Sequence, residues 1–294
     1  MQQCILEIRS WLSSSKFTLN DSKTEAIFLG SPKQLSKCKS THIMIGDFSI
    51  PFSSSIRDLG VILDSSLDLS EHISKVCAKS YMRLRLVSRL RKAISTVHYS
   101  MLVNALVLSN LEYCSSIYLG LPRSSLDKLQ RVINSAFRSI HHLRKSAHIS
   151  ELQISKGCRS IEQRIQWRVA TIIFVALKLK APHYVSQWLI SHSSSHQLRS
   201  NDQSLLVCPR TNTSFGSRAF SVAGPRLWNS FDLQIRQVTK LSSLFNLLDD
   251  WWNNARIRWV MLAVWCCCFS FVCFCVCLCT CITWSGQPGF VFNK

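Results

Sequence analysis

Two sets of basic residues recur at helical spacing. They are Arg85, Arg89 and Lys92, and then Lys128, Arg131 and Arg138. A helix would align each set along one side, because side chains three or four positions apart lie one above the other. Rows of guanidinium and ammonium groups contact nucleic-acid phosphates without reading the base sequence. They are equally typical of a solvated surface that keeps a protein soluble.

The charge balance of the whole chain points to anionic partners. Its 294 residues contain 35 lysines and arginines against 16 aspartates and glutamates, a formal net charge of +19. Such an excess favours phosphate-rich molecules or acidic lipids over a neutral small molecule, so we predict no small-molecule substrate. The 47% apolar content suffices for the core of one large domain or two ordinary ones. We expect no secretory signal at the start of the chain.

Hydrophobic spacing predicts the helices that would carry the basic residues. Between residues 70 and 95 one stripe contains Ile73, Val76, Ser80, Leu84, Val87, Leu90 and Ile94, with Arg85, Arg89 and Lys92 on the far side. A helix over residues 97–111 follows, and Gly120 and Pro122 mark a turn. Ser124 is the expected amino-terminal cap of a helix that reaches Ile140. Another helix is predicted over residues 161–179.

The regions on either side of these helices contain short elements. Helix, turn and strand are predicted over residues 5–12, 20–21 and 26–29, and further strands over 42–45 and 59–63 complete a small antiparallel sheet. Gly46-Asp47 is the expected turn between two of them. Residues 191–204, rich in serine and histidine, are expected to form a linker. Short extended segments are predicted over 207–210 and 215–229, with a turn at Gly224-Pro225.

Several motifs occur in an order that resembles a known family. They are Phe17-Thr-Leu-Asn-Asp-Ser-Lys-Thr-Glu25, Asp58-Leu-Gly-Val-Ile-Leu-Asp64, Asn110-Leu-Glu-Tyr-Cys114, Tyr118-Leu-Gly-Leu-Pro122, Leu129-Gln130 with Asn134, and Phe215 to Trp228. Together, over roughly residues 1–248, they resemble the carboxy-terminal part of the reverse transcriptase of LINE-type non-LTR retrotransposons, an RNA-directed DNA polymerase. The resemblance implies an α+β chain: the end of the palm at 1–64, a helical thumb-like region at 65–150, and a helical and extended region at 151–248.

The resemblance also implies roles for particular residues. Lys23 matches a palm lysine near the phosphates of the incoming nucleotide, and Gly60 matches the hairpin that grips the primer. The basic residues of the thumb-like helices would contact the backbones of RNA or DNA. Each role has an ordinary alternative. Lys23 would be a lysine that faces solvent, Gly60 an ordinary hairpin glycine, and the basic residues a solvated surface.

The aspartates that bind catalytic Mg²⁺ in such polymerases would precede the first residue of this chain. We therefore expect no metal site, no cofactor and no polymerase activity in this chain, with Lys23 a vestige. Asp249-Asp250 is not expected to replace them, because it ends a leucine-rich helical segment before Trp251-Trp252.

Cysteines and histidines complete the candidate residues. Six cysteines are scattered and are expected to be reduced and mostly buried: Cys4, Cys38, Cys77, Cys114, Cys158 and Cys208. They lack the paired spacing of a zinc site. Five histidines, at positions 141, 142, 148, 192 and 196, are expected on the surface or in loops.

Residues 259–284 form an uncharged, mostly apolar segment of 26 residues that contains eight cysteines. It exceeds the ~20 residues that cross a bilayer as a helix, and the preceding Arg256 and Arg258 would keep the rest of the chain in the cytosol. The competing hypothesis is therefore a single-pass membrane protein with a basic cytosolic helical region and no enzymatic role. Alternatively, the cysteine-rich tail is the translation of a degenerate thymine-guanine repeat. The location would be the membrane if this segment inserts, and the cytoplasm or nucleus otherwise.

Overall fold

A computed structural model describes the chain except for residues 1, 19, 21–22, 38–40, 46–47, 193–202, 254–289 and 294. The chain divides into two compact units. One comprises Met1–His72 with Trp284–Lys294, and the other comprises Ile73–Thr283. Helices and small sheets are both present, which confirms the α+β class. The expected turn at Gly46-Asp47, most of the expected linker and the segment 259–284 lie outside the described residues.

The described residues of the first unit form one helix, a short helical turn and six strands. These are α1 Gln2–Ser14, β1 Thr24–Ile27, α2 Pro32–Leu35, β2 His42–Ile45, β3 Phe48–Ser53, β4 Ser55–Asp58, β5 Val61–Asp64 and β6 Phe290–Asn293. A four-stranded sheet has the order β2, β3, β1, β6, and β4 pairs with β5 in a separate hairpin. The first helix and the strands near residues 26 and 42 are therefore confirmed.

The sheet is not wholly antiparallel, so that part of the prediction is wrong. Strand β1 pairs with β3 in parallel, with Ala26 opposite Phe52. The chain between them contains α2 and β2, which is long enough for the crossover that parallel strands need. A small core forms where Ala26 and Ile50 pack with Ile5, Ile43 and Phe52. The predicted strand near residues 59–63 lies in the separate hairpin instead.

The second unit is helical. Its elements are α3 Ser70–Ser88, α4 Thr96–Val103, a π-helical turn Asn104–Leu108, α5 Ser109–Glu112, a 3-10 turn Ser115–Tyr118, α6 Arg123–Ile140, α7 Ser150–Ser155, α8 Ile161–Lys178, α9 His183–Ser186, α10 Ser214–Ser217, α11 Phe220–Ser230, α12 Leu233–Arg236 and α13 Leu241–Asn253. The predicted helices are confirmed, but α3 ends earlier than expected. Pro122 precedes α6, so Ser124 lies inside that helix and is not its cap.

Helix α8 forms the centre of this unit. It packs against the 3-10 turn, α6, α11 and α13, and its residues from Trp167 to Ala176 are all buried. A helix that is apolar on nearly every side belongs in the interior. Trp167 stacks on Phe245 of α13 with 4.6 Å between ring centroids.

The extended structure expected around Gly224-Pro225 is wrong, because both residues lie within α11. A Cβ atom on Gly224 would stand 3.6 Å from Cδ1 of Ile173, an ordinary van der Waals distance, so this residue lies directly against α8. Leu227 and Trp228 of the same helix are buried. Burial of this face against α8 outweighs the local preference of proline for a break.

Four cysteines among the described side chains have free thiols: Cys77, Cys114, Cys158 and Cys208. Cys114 is buried and Cys208 is exposed, with the other two half-buried, so the expectation of mostly buried thiols is only partly correct. Within the described part of the chain, none of the helices has both the length and the apolar character that a bilayer span requires.

Candidate nucleic-acid interface

Helix α3 and the segment formed by α4, the π-helical turn and α5 make an antiparallel helical hairpin. The side-chain amide of Asn110 donates to the Ser80 hydroxyl at 2.8 Å and to the Val76 carbonyl at 3.3 Å. Further towards the closed end, Arg83 Nη1 donates to the Leu106 carbonyl at 2.9 Å. Ser80 thus pairs with Asn110 and Arg83 with Leu106, so the two halves of the hairpin run in opposite directions.

The first basic set does not lie along one helix face, which corrects the sequence prediction. Arg85 is on α3, but the helix ends at Ser88. Arg89 and Lys92 follow in a series of tight turns, in which the Arg89 N–H donates to the Leu86 carbonyl three residues back. Ser95 then caps α4, its hydroxyl accepting from the His98 N–H. All three basic side chains are nevertheless exposed at this end of the hairpin.

The second basic set is divided by the structure. Lys128 and Arg131 are exposed on α6. Arg138 is half-buried, and its Nε and Nη2 donate to the Ala147 carbonyl at 3.3 and 3.1 Å. Arg138 thus holds the loop after α6, and we exclude it from the candidate surface.

Helix α6 packs against α4 and the π-helical turn of the hairpin. Burial raises the pKa of the Cys77 thiol on α3, and the charge of Lys128, near the start of α6, lowers it by a smaller amount. Near the end of α6, Arg91 Nη1 donates to the Ser139 carbonyl at 3.5 Å, and the hydroxyls of Tyr99 and Ser139 are hydrogen-bonded. The end of α6 therefore lies against the start of α4 and the turns that precede it.

Helical spacing determines which side chains share one side of each helix. Cys77, Tyr81 and Arg85 share one side of α3, and Lys128, Arg131, Ser135 and Ser139 share one side of α6. We use the term basic surface for five exposed residues: Arg85, Arg89, Lys92, Lys128 and Arg131. From Lys128 to Ser139 the line along α6 is roughly 16 Å long at the helical rise.

Acidic residues do not neutralise the hairpin from within. Residues 72–111 contain seven lysines and arginines and no aspartate or glutamate. Helix α6 contains one carboxylate, Asp127, whose Oδ1 lies 3.9 Å from Arg123 Nε. The surface is therefore positive over both helices and attracts anions over about a Debye length.

The family-like motifs of the second unit supply its internal contacts. Glu112 is buried and pairs with Arg164, and its second oxygen lies 3.9 Å from Arg168 Nη2. In α6, Gln130 accepts from the Ile161 N–H at 2.8 Å and so connects this helix to the start of α8.

Two motifs that are distant in sequence meet at Gly120. This residue has a φ of +77°, and a Cβ atom there would stand 3.0 Å from Cγ of Arg218. Glycine is needed both for the turn and for this approach. Directly after the motif Phe215 to Trp228, the side-chain amide of Asn229 makes two hydrogen bonds to the backbone of Leu206. It accepts from the Leu206 N–H at 2.9 Å and donates to the Leu206 carbonyl at 2.8 Å.

The two remaining candidates lie in the first unit, whereas the basic surface lies in the second. Lys23 is exposed just before β1, and its N–H donates to the Asn20 carbonyl at 3.1 Å. Leu59 and Gly60 form the two-residue loop between β4 and β5, with φ of +42° and +94°. Two positive φ angles are typical of the type I′ turn of tight hairpins.

Sequence reasoning missed two polar residues of the first unit, the half-buried Asp64 and the buried His72. Asp64 accepts from the backbone N–H groups of Asp68 and Leu69 at 2.9 and 2.8 Å, which shapes the turn into α3. His72 is buried, and burial lowers its pKa from 6.5 to about 4. The Ile62 N–H donates to its Nδ1 over 3.4 Å. An Asp-x-x-x-Asp spacing after a strand was the available signal for the turn, whereas a lone histidine gives none.

The remaining titratable residues have structural surroundings. Asp249 pairs with Arg159, which also lies over the Trp167 ring at 5.3 Å. His141 is half-buried against Phe137, and its pKa is lowered by burial and then by the charges of Lys156 and His142. His142, His148 and His192 are exposed as expected, while His196 is outside the described residues. Over the described ranges, three or more potential metal ligands do not come together.

No protein-family model, curated protein or solved structure matches the chain. The geometry of the basic surface is therefore the main evidence about function.

Proposed function

We propose that this chain binds the sugar-phosphate backbone of RNA or DNA without sequence preference through the basic surface. The observation that carries the proposal is the presence of exposed cations on the helical hairpin, which has no carboxylate between Glu71 and Glu112, and on α6, which packs against that hairpin. Phosphate contacts of this kind supply affinity but carry no sequence information. The proposal concerns binding and not catalysis.

The ancestry of the chain is part of the same proposal. We propose that it derives from the palm end and thumb of a LINE-type reverse transcriptase, in which Mg²⁺ would belong only to an intact polymerase. Support comes from the motif order and from the way in which the motifs of the second unit contact one another, as at Gly120 and Arg218. Lys23 and Gly60 keep their implied family roles as proposals only.

The salt dependence of binding to a short duplex tests this function. If all five cations of the basic surface contact phosphates, log K should fall with log salt at a slope of about −4.5. Affinity would then drop about 500-fold between roughly 50 and 200 mM salt. The variant K128Q/R131Q should reduce the slope to about −2.7 and this drop to about 40-fold.

A matched control removes the same charge elsewhere. Lys178 and Lys180 are exposed at the end of α8, and K178Q/K180Q should leave the slope within about 0.5 of the wild-type value if they contact no phosphate. Fluorescence anisotropy with a labelled duplex and with an unrelated duplex measures slope and sequence preference together. Equal slopes for the wild type and K128Q/R131Q would rule out this surface.

The competing function is membrane anchoring by residues 259–284. It rests on 26 uncharged residues with tryptophans at both ends, preceded by arginines. Expression with a reporter after Lys294, followed by carbonate extraction of membranes, tests it. Release of the chain into the soluble fraction would exclude the anchor and leave the nucleic-acid proposal intact.

A further inference from the structure

The closed end of the helical hairpin exposes aliphatic side chains. We call residues 85–101 the hairpin tip; it comprises the end of α3, the tight turns and the start of α4. Leu86, Leu90, Val97 and Met101 are 52%, 48%, 63% and 56% exposed. Exposed aliphatic residues are ordinary when scattered singly, whereas these four all belong to the hairpin tip.

The same residues of the tip carry positive charge. Arg85, Arg89 and Lys92 are exposed among the aliphatic side chains, whereas Arg91 is directed to the Ser139 carbonyl. The sequence supplies no carboxylate between Glu71 and Glu112 that could pair with them inside the hairpin. The tip therefore combines exposed aliphatic side chains with cations that have no carboxylate partner within the hairpin.

This combination selects among the possible partners. A phosphate backbone alone would pair with the cations but would leave the aliphatic side chains in water. A second copy of the chain would bring two positive tips together, which repulsion disfavours at a net charge of +19. The interface of an anionic bilayer satisfies both features, because aliphatic side chains enter the acyl boundary while lysines and arginines meet the headgroups.

We propose that the hairpin tip is a peripheral binding site for an anionic lipid surface, which overlaps the proposed nucleic-acid contact at its three cations. Leu86, Leu90, Val97 and Met101 enter the interfacial layer, and Arg85, Arg89 and Lys92 bind lipid phosphate or carboxylate groups. Removal of a cation near such a surface weakens binding about fivefold. The tip shares cations with the basic surface, but its aliphatic residues belong to the lipid contact alone.

Hydrogen exchange of the full chain, read by mass spectrometry, tests the site locally. Vesicles of phosphatidylcholine and phosphatidylserine in a ratio of roughly two to one supply the anionic surface, and phosphatidylcholine vesicles are the neutral control. We expect slower exchange in peptides over residues 85–101 with anionic vesicles only, and unchanged exchange in α8. Attachment through residues 259–284 alone would leave the tip unchanged and would overturn the proposal.

Variants separate this proposal from the nucleic-acid function. L90S/V97S should abolish the vesicle-induced slowing at the tip while affinity for the duplex stays within about twofold. K128Q/R131Q should weaken duplex binding but retain the slowing. L179S is the control, since Leu179 is also exposed but lies after α8. Lipid recognition would be refuted if L90S/V97S showed the full slowing, or if neutral vesicles protected the tip as much as anionic ones. If the wild type showed the slowing but did not bind the duplex, only the nucleic-acid function would be refuted.

Discussion

The buried charges around Glu112 predict an asymmetric response to mutation. One carboxylate faces two guanidinium groups, and the side chains of Glu112, Arg164 and Arg168 are 8%, 13% and 10% exposed. Glu112→Gln would leave two cations buried without their common partner. Arg168→Met would leave the Glu112–Arg164 pair complete.

The magnitude follows from the geometry. At 3.9 Å between Arg168 Nη2 and Glu112 Oε2, the attraction is about 4 kcal/mol at an effective dielectric constant of about 20, before desolvation is subtracted. Breaking a buried pair by removing one partner typically lowers the free energy of unfolding by about 3–5 kcal/mol. We expect Glu112→Gln to lie in that range and Arg168→Met to lower it by about 1 kcal/mol.

Hydrogen exchange of the α8 amides measures these differences as local opening free energies. Arg123→Gln is the matched control, because its pairs with Asp127 and Glu162 span 3.9 and 3.7 Å at an 80% exposed arginine, and exposed pairs contribute little. The reasoning fails if Glu112→Gln and Arg123→Gln have similar effects, or if Arg168→Met is the more damaging change.

Three further predictions concern other parts of the chain. The pKa of His72 falls from 6.5 to about 4 on folding, so the unfolded chain binds more protons between these values and the first unit should lose about 3 kcal/mol as the pH drops through this window. The variant His72→Gln, unfolded at pH 7 and near pH 4, should not show this loss of stability. Burial raises the pKa of Asp58, which stabilises the fold as the pH falls and so opposes the effect of His72. The quantity to compare is therefore the loss of stability in the wild type against that in His72→Gln. Leu59→Asn should raise the stability of the β4–β5 hairpin by a few tenths of a kcal/mol, since Asn-Gly suits its turn, and Gly60→Ala should lower it by about 1–2 kcal/mol at a φ of +94°; thermal melts that rank the two variants in the opposite order would contradict this. Asn229→Ala removes both bonds to Leu206, which should weaken that contact by about 2 kcal/mol and speed proteolytic cleavage near residues 203–210; an unchanged cleavage rate would argue against the clamp.

The helices of the second unit could be predicted because their apolar residues follow a single period. Leu129, Ile133 and Ala136 define the buried face of α6, and the structure buries all three. The end of α3 could not be predicted in this way. Leu90 and Ile94 continue the period, yet the chain changes to tight turns after Ser88, because local hydrogen bonds to carbonyls three residues back replace the helical ones.

Long-range contacts explain the other differences. Gly224-Pro225 is a strong local signal for a turn, and the burial of this face of α11 against α8 explains why the helix continues. The parallel pairing of β1 with β3 depends on where the chain returns, which alternation of apolar residues does not specify. For the candidate site, the sequence indicated the cations, whereas the packing of α6 against α4 and the capture of Arg138 by the Ala147 carbonyl follow from contacts that residue spacing does not specify.

The burial of α8 on nearly all sides has a consequence for synthesis of the chain on the ribosome. Much of its cover comes from α11 and α13, which emerge only after residues 220–253 are made. Until then the helix presents Ile173, Phe174 and Val175 to solvent, a suitable target for nascent-chain chaperones. Ribosome-bound chains stalled after α8 has left the exit tunnel, but before α11 and α13 have left it, should therefore retain such a chaperone, and the released full chain should not.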